Sequence, residues 1–355
     1  MPFSAIDAIT PAFEHTKQQL FKPFRLGQWT RLAVVGLLAG ELGSSGLNRS
    51  TFHQARHGGF GGIDPAVVIA LIGVIVVAAL VFGIIFMYIS SVMRFVLFDS
   101  VLTRQCHIRQ GWIRRQGPGL RFFLWLLVYL VAVLAGMAVL VGIPLCFAFA
   151  AGWLTHPGDH VLPLALGGVV LFFVLLIFFV AVAVIGVLTK DFVVPQMALE
   201  DIGAMEAWRR LWPLIGAEKS AYAGYIGMKI VMAIGAGIVV GIAALILGLI
   251  VAIPTAGLSI LAILTGKTAG LTWNAYTITL AVVVGSVLLA GFLYLIALIS
   301  VPVIVFFPAY SIYFFAARYP ALGAALYPSA PQPITPYYNP SQQSPPLPTA
   351  PEPAG

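Results

Sequence analysis

Four of the six histidines fall in two stretches where imidazole nitrogens could meet a metal ion. His53 and His57 are four residues apart, and His156 precedes His160 by four residues with Asp159 beside it. Imidazole and carboxylate at this spacing bind zinc or copper when two such stretches converge. Glycine and proline flank both stretches and weaken a helical register, so solvated loop histidines are the commoner arrangement. We therefore expect no metal site and no cofactor.

Glu41 is the acidic residue that lies well inside an apolar stretch. An ionisable group in hydrocarbon is costly, which makes an intramembrane role for Glu41 a functional hypothesis. Gly40 and Gly43 beside it would let a neighbouring helix or a ligand approach closely. The alternative is that the stretch is short and leaves Glu41 near the outer interface, hydrated or hydrogen-bonded to Ser44 and Ser45. Both interpretations stay open at this point.

Two polar stretches carry arginines that could bind anionic lipid headgroups. Arg109, Arg114 and Arg115 fall in the first stretch, and Arg209 and Arg210 in the second. Each basic residue near a membrane surface contributes about 1 kcal/mol of attraction to anionic lipid. The alternative is that these charges only fix the topology. No nucleophile and base pair, acidic dyad or nucleotide motif appears in a soluble segment long enough to fold around it, so we expect no enzymatic activity.

The composition indicates which elements must position these residues. Of the 355 residues, 60% are hydrophobic and 9% charged, whereas soluble proteins have about 25% charged residues. The net charge is +7, but the basic residues are dispersed through short stretches between apolar runs. This pattern favours the lipid bilayer, and anionic lipids in particular, over nucleic acid as the partner.

Six apolar stretches are long enough to be considered as membrane spans, which need roughly 20 helical residues. The predicted fold is an all-α membrane protein, a six-helix transmembrane bundle with amphipathic inner-face segments between helix pairs. The predicted spans are residues 31–47, 66–93, 121–152, 161–189, 222–253 and 276–300. The first is the shortest, and it could be a tilted or half-inserted helix.

Basic residues predict the orientation, because lysine and arginine concentrate on the cytoplasmic side of short loops. Of the 19 lysines and arginines, only Arg49, Arg56 and Lys267 fall on the predicted outer side. An even number of spans then puts both termini in the cytoplasm. We expect a multi-pass protein of the cell inner membrane.

The two ends of the chain differ from its centre. Residues 1–30 read as a cytoplasmic amphipathic segment, and residues 31–319 as the transmembrane domain. Residues 320–355 are rich in proline and predict a disordered cytoplasmic tail, which could bind a protein partner.

Three short motifs resemble those of a known kind of protein. Leu20-Phe-Lys-Pro-Phe-Arg-Leu-Gly-Gln-Trp29, together with Asp191-Phe-Val-Val-Pro195 and Glu206-Ala-Trp-Arg209, resembles a family of bacterial six-helix membrane proteins of unknown function. The layout is similar to the membrane domain found beside glycerophosphoryl diester phosphodiesterases. The resemblance implies the fold, the topology and a bacterial inner membrane. It does not imply the phosphodiester chemistry, because that chemistry belongs to a separate soluble barrel for which this chain has no room.

These observations predict a non-enzymatic membrane domain that organises lipids or partner proteins at the inner membrane. The alternative is a transporter, channel or flippase-like protein for a weakly charged or lipid substrate. The sequence carries no signal for an oligomeric state.

Overall fold

A computed structural model of the chain describes residues 4–22, 24–41, 65–156, 158–268 and 275–327. These residues form helices and contain no β-strand, which confirms the all-α class. The helices are α1 (Ile9–Phe21), α2 (Leu26–Leu38), α3 (Pro65–Thr103), α4 (Ile108–Ala150), α5 (Val161–Leu188), α6 (Val194–Glu200), α7 (Ala204–Ala217), α8 (Lys219–Thr268), α9 (Ala275–Ala316) and α10 (Pro320–Leu326). A π-helical turn, Thr189–Val193, joins α5 to α6.

Among the described residues, five helices are long and apolar enough to cross a membrane: α3, α4, α5, α8 and α9. The 39 residues of α3 rise about 58 Å, which exceeds a hydrocarbon core of about 30 Å. Most of the apolar side chains along these stretches are exposed. The chain is therefore a multi-pass membrane protein.

The predicted first span, residues 31–47, does not form a sixth long helix in the described residues. Its described part belongs to α2, whose 13 residues rise only about 20 Å. The helix ends before Gly40, which has a left-handed φ of +78°. The apolar run was long enough to suggest a span, but this turn breaks it. The predicted count of six is thus five in the described residues, and residues 42–47 lie outside them.

The segments predicted to lie at the inner face, between the helix pairs, take two forms. Between α5 and α8 they are separate short helices, α6 and α7, and α7 buries Ala204, Ala207 and Leu211 along one face. Between α3 and α4 there is only a short turn. The polar stretch that carries Arg109, Arg114 and Arg115 is the first part of α4 itself. That stretch therefore extends a membrane-spanning helix.

The buried side chains concentrate in one region, which we call the packed base. It consists of α1, α2, α6, α7 and α10 together with the adjoining ends of the five long helices. Along α9 the side chains are mostly exposed as far as Leu295 and mostly buried from Ile296 onward. Phe192 lies in the centre of this core, with its ring centroid 5.1 Å from that of Tyr225 and 5.0 Å from that of Phe315.

The helix α1 lies within the packed base and caps the end of α3. His15 Nε2 lies 2.8 Å from the Val101 carbonyl oxygen, and Gln19 Nε2 donates to the Ser100 carbonyl at 2.9 Å. The last carbonyls of a helix have no partner within that helix, so these side chains satisfy them. The polar face of α1 is buried and Phe13 is 60% exposed, the reverse of an ordinary soluble helix.

Residues 320–326 correct the predicted start of the tail. They form α10, in which Leu322 is fully buried. Pro320 occupies the first helical position, where the missing N–H costs nothing. Residues 328–355 lie outside the described residues, and their disorder stays a prediction.

Candidate functional site

Charged side chains from four helical elements meet at one edge of the packed base. Lys190 Nζ donates to Glu41 Oε2, and Lys229 Nζ donates to Asp191 Oδ2. Arg94 lines the same small cavity as these four residues. We call Glu41, Arg94, Lys190, Asp191 and Lys229 the charge cluster. Its ion pairs connect the turn that follows α2, at Glu41, and α8, at Lys229, to the π-helical turn.

The π-helical turn explains how two consecutive residues serve two different partners. Lys190 points toward α2 and Asp191 toward α8, where Tyr225 also donates its hydroxyl hydrogen to Asp191 Oδ2 at 3.0 Å. A π-turn widens the helix locally and recurs at functional sites. Glu41 and Asp191 are each 4% exposed, so water screens neither pair well.

Arg94 is held on α3 beside the two pairs. Its Nη2 donates to the Ala39 carbonyl at 3.1 Å, and its guanidinium carbon lies 5.7 Å from the centre of the Phe122 ring. Its Nε has no hydrogen-bond partner among the described residues. The cavity that the cluster lines is partly open and has a volume of about 30 Å³.

The structure adds a partner that neither sequence interpretation of Glu41 included. The side chain is buried and paired with Lys190. Ser44 and Ser45 lie outside the described residues. The sequence contained one signal for the partner: Lys190 and Asp191 stand together at the end of a long apolar run. Pairing across 149 positions could not be read from spacing.

A second feature, the polar groove, lies between the end of α3, the start of α4 and the end of α6. It has a volume of about 430 Å³. Its polar lining includes Asp99, Thr103, Gln105, His107, Gln110 and Arg114. A space of this size accepts a small polar molecule or a headgroup.

The five predicted headgroup arginines divide into three groups. Arg115 is buried: its Nε and Nη2 donate to Asp99 at 2.7 and 2.6 Å, and its Nη1 donates to the Ala198 carbonyl at 2.6 Å. It therefore joins α3 to α4 and α6, and it is not free to bind a headgroup. Arg209 pairs with Glu206 at 2.8 Å, and Arg210 pairs with Glu200 and Glu206.

Arg109 and Arg114 form the remaining group. Both are exposed on α4, and neither forms an ion pair within the described residues. Arg114 lines the polar groove. These two arginines are the predicted ones whose charge is available to an anion.

The predicted histidine candidates do not come together in the part of the chain that the structure describes. His156 is exposed and its Nδ1 lies 3.1 Å from the Thr155 hydroxyl oxygen, while the His160 ring lies 6.3 Å from that of Trp153. No group of three histidine, cysteine or acidic side chains with metal-binding geometry occurs there. His53 and His57 lie outside the described residues.

Comparison with known proteins gives one match. The model of a family described as a family of unknown function, DUF7544, matches residues 3–325. No curated protein and no solved structure matches the chain. The expected likeness to the membrane domain beside glycerophosphoryl diester phosphodiesterases stays a prediction.

Proposed function

The chain belongs to the DUF7544 family of unknown function, and we propose that it is a non-enzymatic membrane protein that binds anionic phospholipid headgroups in its polar groove. The proposal places the protein in a bacterial inner membrane with the packed base on the cytoplasmic side. The asymmetry of the basic residues supports that orientation.

The observation that carries the proposal is the exposed Arg114 on the wall of the groove. Its charge is not compensated by an ion pair within the described residues. A guanidinium donates two parallel hydrogen bonds to a phosphate, which gives geometric specificity as well as attraction. Arg109 lies five residues earlier on the same helix and adds a second positive charge.

The remaining lining of the groove suits the rest of a headgroup. Thr103, Gln105 and Gln110 carry hydroxyl and amide groups that hydrogen-bond to the hydroxyls of a glycerol headgroup. Asp99 is committed to Arg115 and so repels an incoming phosphate less than a free carboxylate would. The ion pair with Arg115 thereby holds Asp99 in place in the wall of the groove and neutralises its charge.

We propose no catalytic step. The acidic groups nearest to the groove and in the charge cluster are engaged in ion pairs, so among the described residues there these carboxylates are not placed as a general base. Binding of lipid at the packed base would organise the bilayer around the five long helices.

A transporter of a lipid or weakly charged substrate is the second candidate. The charge cluster favours it, because ion pairs between separate helices near the ends of apolar stretches can exchange partners as helices move. Such a protein should move lipid between leaflets in reconstituted vesicles, whereas a binding protein should not.

The experiment compares two pairs of substitutions. The variant Arg109→Gln with Arg114→Gln removes the unpaired charges. The matched control, Arg209→Gln with Arg210→Gln, removes two arginines that are already paired with acids. Binding of each protein to nanodiscs containing phosphatidylglycerol is measured at low and high salt.

We expect the first variant to bind about fivefold more weakly per arginine removed, following about 1 kcal/mol for each basic residue near the surface. The loss should shrink as salt rises, because ions screen exposed charges. Full binding by the first variant, or an equal loss in the control, would overturn the proposal.

A further inference from the structure

The described side chains of the charge cluster carry one more positive charge than negative charge. Three cationic side chains, Arg94, Lys190 and Lys229, line its cavity with two carboxylates, Glu41 and Asp191. Each lysine donates to one carboxylate, so Arg94 is the cation in excess. No further acidic side chain lines the cavity within the described residues.

An uncompensated charge in a buried place is costly unless something neutralises it. Lys190 and Lys229 side chains are 20% and 14% exposed, which is too little for bulk water to screen the excess. The Arg94 guanidinium is partly satisfied by the Ala39 carbonyl and the Phe122 ring, but its Nε has no partner among the described residues. The cluster therefore has both the charge and a hydrogen-bond donor that an anion requires.

The cavity limits the size of that anion. One water molecule needs roughly 10 to 15 Å³ of space measured in this way. The cavity of about 30 Å³ therefore accepts a monatomic anion, alone or with one water. A space of this size favours a small ion over a lipid headgroup, which distinguishes this site from the polar groove.

We propose that the charge cluster binds one small monatomic anion, chloride under ordinary conditions. The anion neutralises Arg94 and is held by the cations of α3, α8 and the π-helical turn. Because these elements approach one another only in the folded protein, the bound anion stabilises the packed base.

The first test measures the melting temperature of the purified protein as chloride replaces gluconate at constant ionic strength. Gluconate is too large for the cavity, so it serves as the inert anion. We expect a saturable rise in Tm with chloride, and a similar rise with bromide. A Tm that does not change with either halide would overturn the proposal.

Variants at Arg94 identify the site. Arg94→Gln leaves two cations and two carboxylates, so the melting temperature should no longer depend on chloride. Arg94→Lys keeps the charge and should keep the dependence. Lys17→Gln removes an exposed lysine on α1 and serves as the control, with the same chloride response as the unaltered protein.

A direct measurement of chloride binding tests the proposal even if the Arg94→Gln variant does not fold. The unaltered protein should bind about one radioactive chloride per chain, and bromide should displace it. Displacement by inorganic phosphate or by phosphatidylglycerol instead would assign the excess charge to a lipid or phosphate ligand and would refute the chloride site. Retention of the full chloride response by Arg94→Gln would refute it as well.

Discussion

Arg115 and Asp99 form a two-point ion pair, with hydrogen bonds of 2.7 and 2.6 Å between one guanidinium and one carboxylate. The Arg115 side chain is 10% exposed and the Asp99 side chain 22% exposed. Sixteen positions separate the two residues, which lie on either side of the turn between α3 and α4. The pair therefore fixes the angle at which these two helices meet.

We expect Arg115→Gln to lower the stability of the protein by about 3 kcal/mol, because it leaves the Asp99 carboxylate partly buried without its partner. Asp99→Asn should cost a similar amount. The double variant should be less destabilised than the sum of the two, which a double-mutant cycle of unfolding in detergent measures. Additive losses would show that the two side chains act independently.

The Glu41 and Lys190 pair should also be strongly coupled. Glu41→Gln leaves Lys190 close to the like charges of Arg94 and Lys229, so we expect a loss of about 3 to 5 kcal/mol. Lys190→Gln together with Glu41→Gln should recover part of that loss. The matched control is Glu14→Gln on the exposed face of α1, which should change unfolding by less than about 0.5 kcal/mol.

His15 should make the packed base sensitive to acid. Burial lowers the pKa of His15 below its ordinary value of 6.5, and the nearby Arg104 acts in the same direction, while the hydrogen bond to the Val101 carbonyl opposes them. The unfolded chain therefore takes up the proton at a higher pH than the folded one. The stability that neutral His15 contributes is fully present above about pH 6.5. It is lost as the pH falls toward the lowered pKa of His15 in the folded protein.

The measurement for His15 compares the melting temperature from pH 7.5 down to pH 5. The unaltered protein should lose more stability over this range than His15→Gln, which can still donate to Val101 but does not titrate. Parallel curves for the two proteins would show that His15 protonation is not coupled to folding.

Gly36 should tolerate no side chain. A Cβ added there would lie 2.5 Å from Ile304 Cγ2, closer than real contacts allow. We expect Gly36→Ala to destabilise the contact between α2 and α9 by about 1 to 3 kcal/mol, the usual range for overpacking. Ile304→Ala removes the clashing Cγ2, so the double variant should lose less than the sum of the two single variants.

Gly27 provides the control for Gly36 within the same helix. A Cβ at Gly27 would meet nothing within 4 Å. Gly27→Ala should therefore be neutral or stabilise α2 by up to about 1 kcal/mol, since alanine favours helix more than glycine does. An equal loss in both variants would point to helix geometry and not to the Ile304 contact.

Composition and apolar length predicted the long helices well, because a hydrocarbon core imposes one simple requirement on any sequence that crosses it. The same rule was less informative for residues 31–47, the shortest of the six runs, whose described part is interrupted by a left-handed turn at Gly40. Length in sequence does not reveal a backbone reversal of this kind.

The candidate sites were less predictable than the spans. Arg115 and Arg114 are adjacent and of the same type, yet one is buried against Asp99 and the other is exposed. That difference depends on a partner across a turn, which single-sequence patterns do not show. The amphipathic pattern of residues 1–30 did not show that His15 and Gln19 satisfy the carbonyls at the end of α3.

The contact between α1 and α9 has a consequence for how the chain is made. The His15 Nδ1 lies 3.3 Å from the Tyr313 hydroxyl oxygen, and the Tyr310 hydroxyl donates to the Ala5 carbonyl at 3.0 Å. Synthesis delivers α1 first and these tyrosines about 300 residues later. The contacts of α1 with the end of α3 can therefore form early, whereas its contacts with α9 form only after the other long helices have been made. A ribosome-stalled chain that stops before α9 should leave α1 more accessible to protease than the completed chain does.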